Sequence, residues 1–314
     1  MSRTIRIGTR QSQLALWQAE SIKSALLSMH DDLQVELVKI VSAGDKTLDV
    51  PLAKIGGKGL FLKELETALI QEDIDLAVHS MKDVTVTLPE GLHISAICKR
   101  ENPFDAMVSN EYKRLSELPQ GARVGTCSLR RQSQVKAAFP HLQLVNLRGN
   151  VNTRLSKLDN GEFDAIILAA SGLIRLDMQD RISEQISEDI CLPAVGQGAL
   201  GIETRQGDQE IEQLIAPLID FHSTCCVNAE RALNEKLDGG CQVPVAAFAT
   251  IQDNEIILNG RVGELDGSRV LSAQSSAALE NARELGIAVA DSLLAQGAGE
   301  ILQSVYDAAN SSTD

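Results

Sequence analysis

Five arginines lie close together in the middle of a chain that is acidic overall. The window 121–176 has eight basic and three acidic residues, whereas the whole chain has a formal net charge of −14. A guanidinium group binds a carboxylate or phosphate through two parallel hydrogen bonds and stays charged at working pH. A solvated basic face is the commoner meaning of a charge run. These residues, however, follow predicted strands, where α/β folds bind ligands, which favours an anion-binding region formed by Arg130, Arg131, Arg148, Arg154 and Arg175.

The segment 125–131 reads as the end of a strand, a loop of small residues and the start of a helix. Its backbone N–H groups, the hydroxyls of Thr126 and Ser128 and the positive end of the helix dipole would face one anion. A simple helix cap explains Ser128 but not Arg130 and Arg131, because cations destabilise a helix N-terminus unless an anion compensates. We therefore expect an anion at this loop.

Two other loops follow the same design. Arg148 leaves a predicted strand and Arg154 lies on the helix after it, with Gly149 allowing close approach of the backbone. In the first part of the chain, Arg10 and Ser12 stand in the same position between a strand and a helix. Several arginine-bearing loops of this kind predict a ligand with many negative charges.

Phosphate loops and metal sites are not indicated by the spacing of residues. The glycine-rich segment around Lys58, residues 56–59, lacks the spacing of a Walker loop, and the six cysteines form no CxxC pair. No pair of aspartates stands out as a metal site. The expected anions are therefore organic carboxylates rather than a nucleotide triphosphate, and no metal is predicted.

A short loop that contains Lys82 and Asp83 follows the predicted buried strand 76–78. It offers a hydroxyl, a cation and a carboxylate together. Taken alone, Asp83 is better explained as a helix cap or as a local partner of Lys82. His79 is interpreted as a packing residue and not as a base.

Cys241 lies on a Gly-Gly turn after a predicted helix and is followed closely by Pro244. Free cysteines are usually small buried hydrophobic residues. The loop favours an exposed thiol instead. No histidine loop suggests the partner that a cysteine protease would need.

Composition excludes several classes of protein. Aromatic residues make up 3% of the chain, which leaves no platform for stacking bases, and the negative charge disfavours nucleic acid. The N-terminus has no apolar signal region and no segment reaches the length of a membrane span. We expect a cytoplasmic protein with reduced cysteines, no membrane partner and a monomeric state.

Alternating strands and helices predict α/β architecture with parallel sheets and helices on both faces. Two such units in succession suggest two doubly wound lobes with a cleft between them. A glycine-rich segment, 195–203, would return the chain to the first lobe. The expected domains are 1–98 with 199–217, then 99–198, and a small α+β domain at 218–314 that closes with a helix at about 279–294.

Five motifs in this order resemble the porphobilinogen deaminase family. They span residues 79–83, 125–131, 147–154, 193–198 and 239–244. The resemblance implies two lobes similar to type II periplasmic binding proteins and a third domain that carries a cysteine. It also implies a transferase that joins porphobilinogen units head to tail, with loss of ammonia, into the linear tetrapyrrole hydroxymethylbilane.

The resemblance further implies a role for each matching residue. A dipyrromethane cofactor would be joined by a thioether to Cys241, Asp83 would be the catalytic carboxylate, and Lys58 would belong to a lid. The matching cofactor-binding residues are Lys82, Asp83, Thr126, Ser128, Arg130 and Arg131. The matching substrate-binding residues are Arg10, Ser12, Arg148, Arg154, Arg175 and Gln197. One departure is Cys127, where the family usually has a serine.

Two other functions remain open from the residues. A two-lobed protein that binds a polycarboxylate without catalysis would need the same arginines, and fold alone does not exclude it. The missing signal region and the Cys241 loop count against it. An enzyme of anionic sugar or phosphate metabolism is disfavoured because no phosphate loop is present.

Overall fold

The computed structural model describes residues 4–42, 59, 62–240 and 242–311, with side chains to residue 308. Within these residues the chain forms two compact units. The first contains the described residues up to 101 together with 199–224, and the second contains 102–198 together with the described residues from 225 onward. Each unit has its own sheet of five strands and its own aliphatic core.

The described strands are β1 (Thr4–Arg10), β2 (Gln34–Ile40), β3 (Leu76–Ser80), β4 (Leu92–Ile97), β5 (Asp105–Val108), β6 (Arg123–Gly125), β7 (Gln143–Val145), β8 (Ala165–Ala169), β9 (Glu184–Gln185), β10 (Leu200–Arg205), β11 (Val245–Gln252), β12 (Glu255–Gly263) and β13 (Val270–Ala278). The described α-helices are α1 (Gln13–Met29), α2 (Lys63–Ile70), α3 (Leu129–Ala138), α4 (Val151–Asp159), α5 (Ala170–Ile174), α6 (Gln209–Ile215), α7 (Phe221–Lys236), α8 (Ala282–Ala295) and α9 (Ala298–Ser311). The α/β class expected from the sequence is confirmed.

The first sheet has the strand order β2-β1-β3-β10-β4. β1 runs parallel to β2 and β3, whereas β10 is antiparallel to both of its neighbours. The predicted parallel pairing therefore holds for β1 with β2 and β3 but not for β10. A helical crossover enforces parallel pairing between successive strands. β10 comes from a distant part of the chain and is not bound by that constraint.

The second sheet has the strand order β7-β6-β8-β5-β9. β6 pairs in parallel with β7 and β8, so the carboxyl ends of these three strands lie at one edge. β5 is antiparallel to β8, and it is a strand that the sequence did not predict. Its four residues are all buried, and a run this short has no periodicity to identify it.

Three antiparallel strands, β11, β12 and β13, form the small C-terminal sheet within the second unit. Leu233 of α7, Leu258 of β12 and Val289 of α8 are fully buried in its core. The predicted closing helix corresponds to α8, but a further helix, α9, follows it. Gly297 has a φ of +100° between the two helices, a conformation that glycine adopts without strain.

No single helix in the described part of the chain is long and apolar enough to cross a membrane. α8 and α9 reach that composition only as a pair, together with the short turn before α8, and the pair is bent by 81°. Leu293 of α8 and Ile301 of α9 are buried in the C-terminal core, so the apolar residues of the pair are explained by packing.

Candidate functional site

Arg130 and Arg131 occupy the first turn of α3, and both guanidinium groups bind Asp105 at the start of β5. Arg130 Nη1 donates to Asp105 Oδ2 at 2.7 Å, and Arg131 Nη2 donates to Oδ1 at 2.7 Å. Arg131 Nε adds a second bond to Oδ1 at 3.0 Å. All three residues are buried. The anion that two cations at a helix N-terminus require is therefore supplied, at least in part, by the protein itself.

The electrostatics of this cluster keep Asp105 ionised. Burial by itself would raise the pKa of Asp105, but the charges and hydrogen bonds of Arg130 and Arg131 outweigh it and hold the pKa far below its usual range. Burial and then the negative charge of Asp105 raise the pKa of the neighbouring Cys191 thiol to about 12. Because the Cys191 thiol is neutral, it adds no second negative charge. Two guanidinium groups share one carboxylate, so the cluster keeps a formal positive charge.

The remaining donors of the two arginines are used unequally. Arg131 Nη1 donates to the carbonyl of Ile167 at 2.9 Å, and Arg130 Nη1 also donates to the carbonyl of Leu192 at 2.8 Å. The buried Nε–H of Arg130 has no hydrogen-bond partner in the described structure. Buried N–H groups without partners are rare and costly. This donor is therefore one to which a bound acceptor could bind.

Gln197 lies in a turn between Gly196 and Gly198, which have φ values of +67° and +91°. Its amide nitrogen donates to the carbonyl of Pro103 at 2.6 Å and to Asp105 Oδ1 at 2.9 Å. These contacts use both of its N–H bonds inside the protein. The structure therefore places the donors of this predicted substrate-binding residue on Pro103 and Asp105.

Thr126 and Ser128 shape the loop between β6 and α3. Thr126 Oγ1 accepts from the backbone N–H of Ser128 at 3.3 Å, and Ser128 Oγ accepts from the N–H of Arg131 at 3.5 Å as the helix cap. A hydroxyl that accepts one bond still has a proton to donate. Both residues thus hold the loop in shape and can also donate to an anion.

Arg148 and Arg154 follow β7, at the edge where the parallel strands of the second sheet end. Arg148 is half-buried, and its buried Nε has no partner in the described structure. Arg154 Nε donates to the carbonyl of Gly149 at 2.7 Å, and its Nη2 lies 4.0 Å from Cys127 Sγ. Gly149 has a φ of +116°. This geometry brings Arg154 and the loop after β6 together.

Arg175 directly follows α5, the short helix after β8. It is buried, and its Nη2 donates to the carbonyl of Gly198 at 2.7 Å. The contact joins this arginine to the turn that carries Gln197. Arg175 therefore stabilises the same turn that orients Asp105.

The first unit brings a second group of predicted site residues to one sheet edge. β1 and β3 are parallel neighbours, so Arg10 at the end of β1 lies at the same edge as the turn after β3 that contains Lys82 and Asp83. Ser12 Oγ caps α1 by accepting from the N–H of Ala15 at 3.3 Å. α1 is also tied to the end of β3, because Gln18 Nε2 donates to Ser80 Oγ at 2.8 Å.

Asp83 is half-buried, and no hydrogen bond or ion pair involves its carboxylate in the described structure. The helix-cap explanation is not supported, because the residues between Asp83 and β4 form no helix that it could cap. A half-buried carboxylate without a structural partner can act on a ligand. The sequence alone favoured the structural explanation, and the catalytic role of Asp83 stays a prediction.

His79 is buried on β3, and its Nε2 lies 2.9 Å from Glu203 Oε2. Its environment is that of a packed residue rather than of a base exposed to substrate. Glu66 of α2 belongs to the same buried group. Burial and then the negative charge of Glu203 raise the pKa of Glu66.

Cys241 and Lys58 lie outside the described residues. Glu230, which is fully buried, anchors α7, the helix that precedes Cys241 in the chain. Glu230 Oε2 accepts from the N–H of Gly196 at 2.7 Å, and Oε1 accepts from the N–H of Ala249 at 2.9 Å. The loop predicted to carry the cysteine thus follows a helix anchored to the Gln197 turn.

Asp105 and Glu230 are the residues at this site that sequence reasoning missed. Asp105 directly precedes a run of three apolar residues, Ala106 to Val108, and an acid at the start of a buried strand is the signal that could have identified it. Glu230 has no comparable signal, because it lies on a helix with other charged residues. Its role depends on a contact with Gly196, which is 34 positions away in the chain.

Two family models match most of the chain. The model described as porphobilinogen deaminase, dipyromethane cofactor binding domain, matches residues 5–213, and the model described as porphobilinogen deaminase, C-terminal domain, matches residues 224–295. The motifs that carried the resemblance lie within these ranges. The first model confirms the expected cofactor class.

Several solved structures resemble part of the chain. The methionine binding protein MetQ is 16% identical with a TM-score of 0.45, and the match covers 69% of this chain and 88% of that chain. A periplasmic substrate-binding protein of an ABC transporter from Coxiella burnetii is 12% identical, with a TM-score of 0.45 and coverage of 68% and 91%. The aliphatic sulphonate binding protein SsuA from Escherichia coli is 13% identical, with a TM-score of 0.41 and coverage of 76% and 71%.

Proposed function

Because the chain belongs to the porphobilinogen deaminase family, we propose that it joins porphobilinogen units head to tail, with loss of ammonia, into hydroxymethylbilane. The family is one of transferases of tetrapyrrole biosynthesis with a dipyrromethane cofactor. The observation that carries the proposal is the match of both family models, which together include every proposed site residue. The alternative of a binding protein without catalysis is not favoured by this match.

The donor set of the second unit fits a dipyrromethane group, whose rings carry acetate and propionate side chains. Arg130 and Arg131 share one carboxylate, and Arg130 keeps a buried Nε–H without a partner in the described structure. We assign the binding of the cofactor carboxylates to these two arginines with Thr126 and Ser128, and we assign the thioether to Cys241. When bound, the cofactor supplies the pyrrole carbon to which substrate units are added.

Lys82 and Asp83 of the first unit have different proposed roles. Lys82 supplies a further cation for the cofactor carboxylates. Asp83 stabilises the positive charge that develops on the substrate as ammonia leaves, and it moves protons at the leaving amine. A carboxylate with no hydrogen bond to the described protein is available for this role, since it does not have to leave a structural partner.

The carboxylates of the incoming substrate and of the growing chain need cations at several positions. We assign this binding to the residues Arg10, Ser12, Arg148, Arg154 and Arg175. Gln197 is given a positioning role instead, because its donors are used on Pro103 and Asp105. A lid that contains Lys58, the three-domain division, a monomeric state and a cytoplasmic location complete the proposal.

The mass of the purified protein tests the proposal directly. We expect an adduct equal to a dipyrromethane group, a red colour with Ehrlich's reagent and formation of hydroxymethylbilane from porphobilinogen. Cys241→Ser should lose both adduct and activity, because a hydroxyl is a poor substitute for a thiolate nucleophile. Cys98→Ser, which changes a half-buried cysteine of the first unit, is the matched control and should keep both. A Cys241→Ser protein that still carries the adduct would disprove the attachment.

A further inference from the structure

Asp105 accepts hydrogen bonds from the side chains of Arg130, Arg131 and Gln197. Oδ1 accepts from Arg131 Nε and Nη2, from Arg130 Nη2 at 3.3 Å and from Gln197 Nε2. Oδ2 accepts from Arg130 Nη1 and lies 3.4 Å from the Cys191 thiol. The residue is fully buried. A carboxylate surrounded in this way cannot contact a ligand, so its effect must be exerted through the two arginines.

We propose that Asp105 is a positioning residue, held by Gln197, that fixes the guanidinium groups of Arg130 and Arg131 in the orientation that binds the cofactor carboxylates. The inference rests on the proposed function, and it deepens that function by naming what orients the binding groups. An arginine side chain has many rotamers, and ordering it at the time of binding lowers affinity. Asp105 removes that penalty in advance.

The geometry explains which donors remain for a ligand. Asp105 accepts hydrogen bonds from the Nε and Nη2 of Arg131, whereas it accepts them from the two Nη atoms of Arg130. The Nε of Arg130 is left buried without a partner in the described structure. Because one carboxylate faces two cations, a positive charge also remains. One shared counter-ion thus binds different donor atoms of two adjacent arginines on the same helix.

A continuous set of buried contacts links this arginine pair to the helix before Cys241. Glu230 of α7 binds the N–H of Gly196, and the next residue, Gln197, binds Asp105. Arg175 binds the carbonyl of Gly198 on the other side of the same residue. The helix that leads to the attachment loop and the arginines that bind the cofactor are therefore held by one network within the second unit.

The test compares variants that disturb Asp105 with a variant that breaks an Asp–Arg pair elsewhere. Asp105→Asn keeps the shape but removes the shared charge. Gln197→Met keeps both arginine pairs and removes the bond that orients the carboxylate, together with the bond to the carbonyl of Pro103. Asp159→Asn is the matched control, since Asp159 binds Arg181 at 2.6 Å on the surface of the same unit. Apo-proteins are mixed with porphobilinogen, and the growth of the dipyrromethane adduct is followed by intact mass.

We expect adduct formation to slow at least tenfold in Asp105→Asn and at least threefold in Gln197→Met, with Asp159→Asn within twofold of wild type. If Asp105→Asn fails to fold, Gln197→Met decides. Positioning also predicts that Gln197→Met slows an Arg131→Gln background by a smaller factor than it slows wild type, because coupled residues are not additive. A merely structural residue would slow that background by the same factor as wild type.

The outcomes separate the two proposals. If wild-type apo-protein forms no adduct, the proposed function is wrong, and this inference is wrong with it. If wild type forms the adduct and folded Gln197→Met forms it at the wild-type rate, only the positioning role is overturned. The circular dichroism spectrum and melting temperature of each variant are measured on the same samples.

Discussion

Replacing two arginines by glutamine should separate binding from folding. Arg131 makes three hydrogen bonds to Asp105 and the carbonyl of Ile167, whereas the half-buried Arg148 has no hydrogen bond or ion pair in the described structure. Breaking a buried ion pair from one side costs about 3–5 kcal/mol. Arg131→Gln should lower the free energy of unfolding by about 3 kcal/mol, the lower end of this range, because Arg130 still compensates the charge of Asp105.

Arg148→Gln should change the free energy of unfolding by less than about 1 kcal/mol, since no hydrogen bond or ion pair within the described structure is lost. If Arg148 binds a substrate carboxylate, removing one charged hydrogen bond costs about 1.5–3 kcal/mol of transition-state binding. That range corresponds to a fall in kcat/KM of roughly 10- to 150-fold. The stability effect and the kinetic effect are thus expected in different variants.

The assays are urea unfolding and steady-state formation of hydroxymethylbilane. Arg181→Gln is the control, because its exposed pair with Asp159 contributes at most about 1 kcal/mol and its kcat/KM should match wild type. The reasoning is refuted if Arg148→Gln loses about 3 kcal/mol of stability with unchanged kcat/KM. It is equally refuted if Arg131→Gln is as stable as wild type.

Three other changes have clear expected results. Asp83→Asn should keep its cofactor but lose about a thousandfold in turnover, and Asp83→Glu should retain more; turnover within tenfold of wild type would show that this carboxylate is not catalytic. Glu66→Gln should raise the melting temperature at pH 8. The pKa of Glu66 in the folded protein is raised above its unfolded value of about 4.3, so the folded protein loses stability as pH rises from that value to the folded pKa. The gain should vanish near pH 4, and an equal gain at both pH values would contradict the assignment. Cys191, with a buried thiol and a pKa of about 12, should resist maleimide at pH 8 until the protein unfolds, and rapid labelling of the native protein would contradict its burial.

Local structure was largely determined by the sequence. The helices predicted to follow the loops of Ser12 and Ser128 are α1 and α3, because a capping residue acts within a few positions of the chain. The order of motifs also identified the family, since each motif is contiguous. The placement of Arg148 after a strand follows from the same local alternation of strand and helix.

The tertiary structure decided which of these arginines share a counter-ion inside the protein. Arg130, Arg131 and Arg148 are the same residue type in similar loops, yet two of them bind Asp105 and the third has no such partner. Asp105 lies 25 positions from Arg130 and 92 from Gln197, on a strand too short to show periodicity. The energy of an ion pair depends on distance and burial in space. Neither quantity is encoded in the local spacing of residues, so the shared counter-ion was found only in the folded chain.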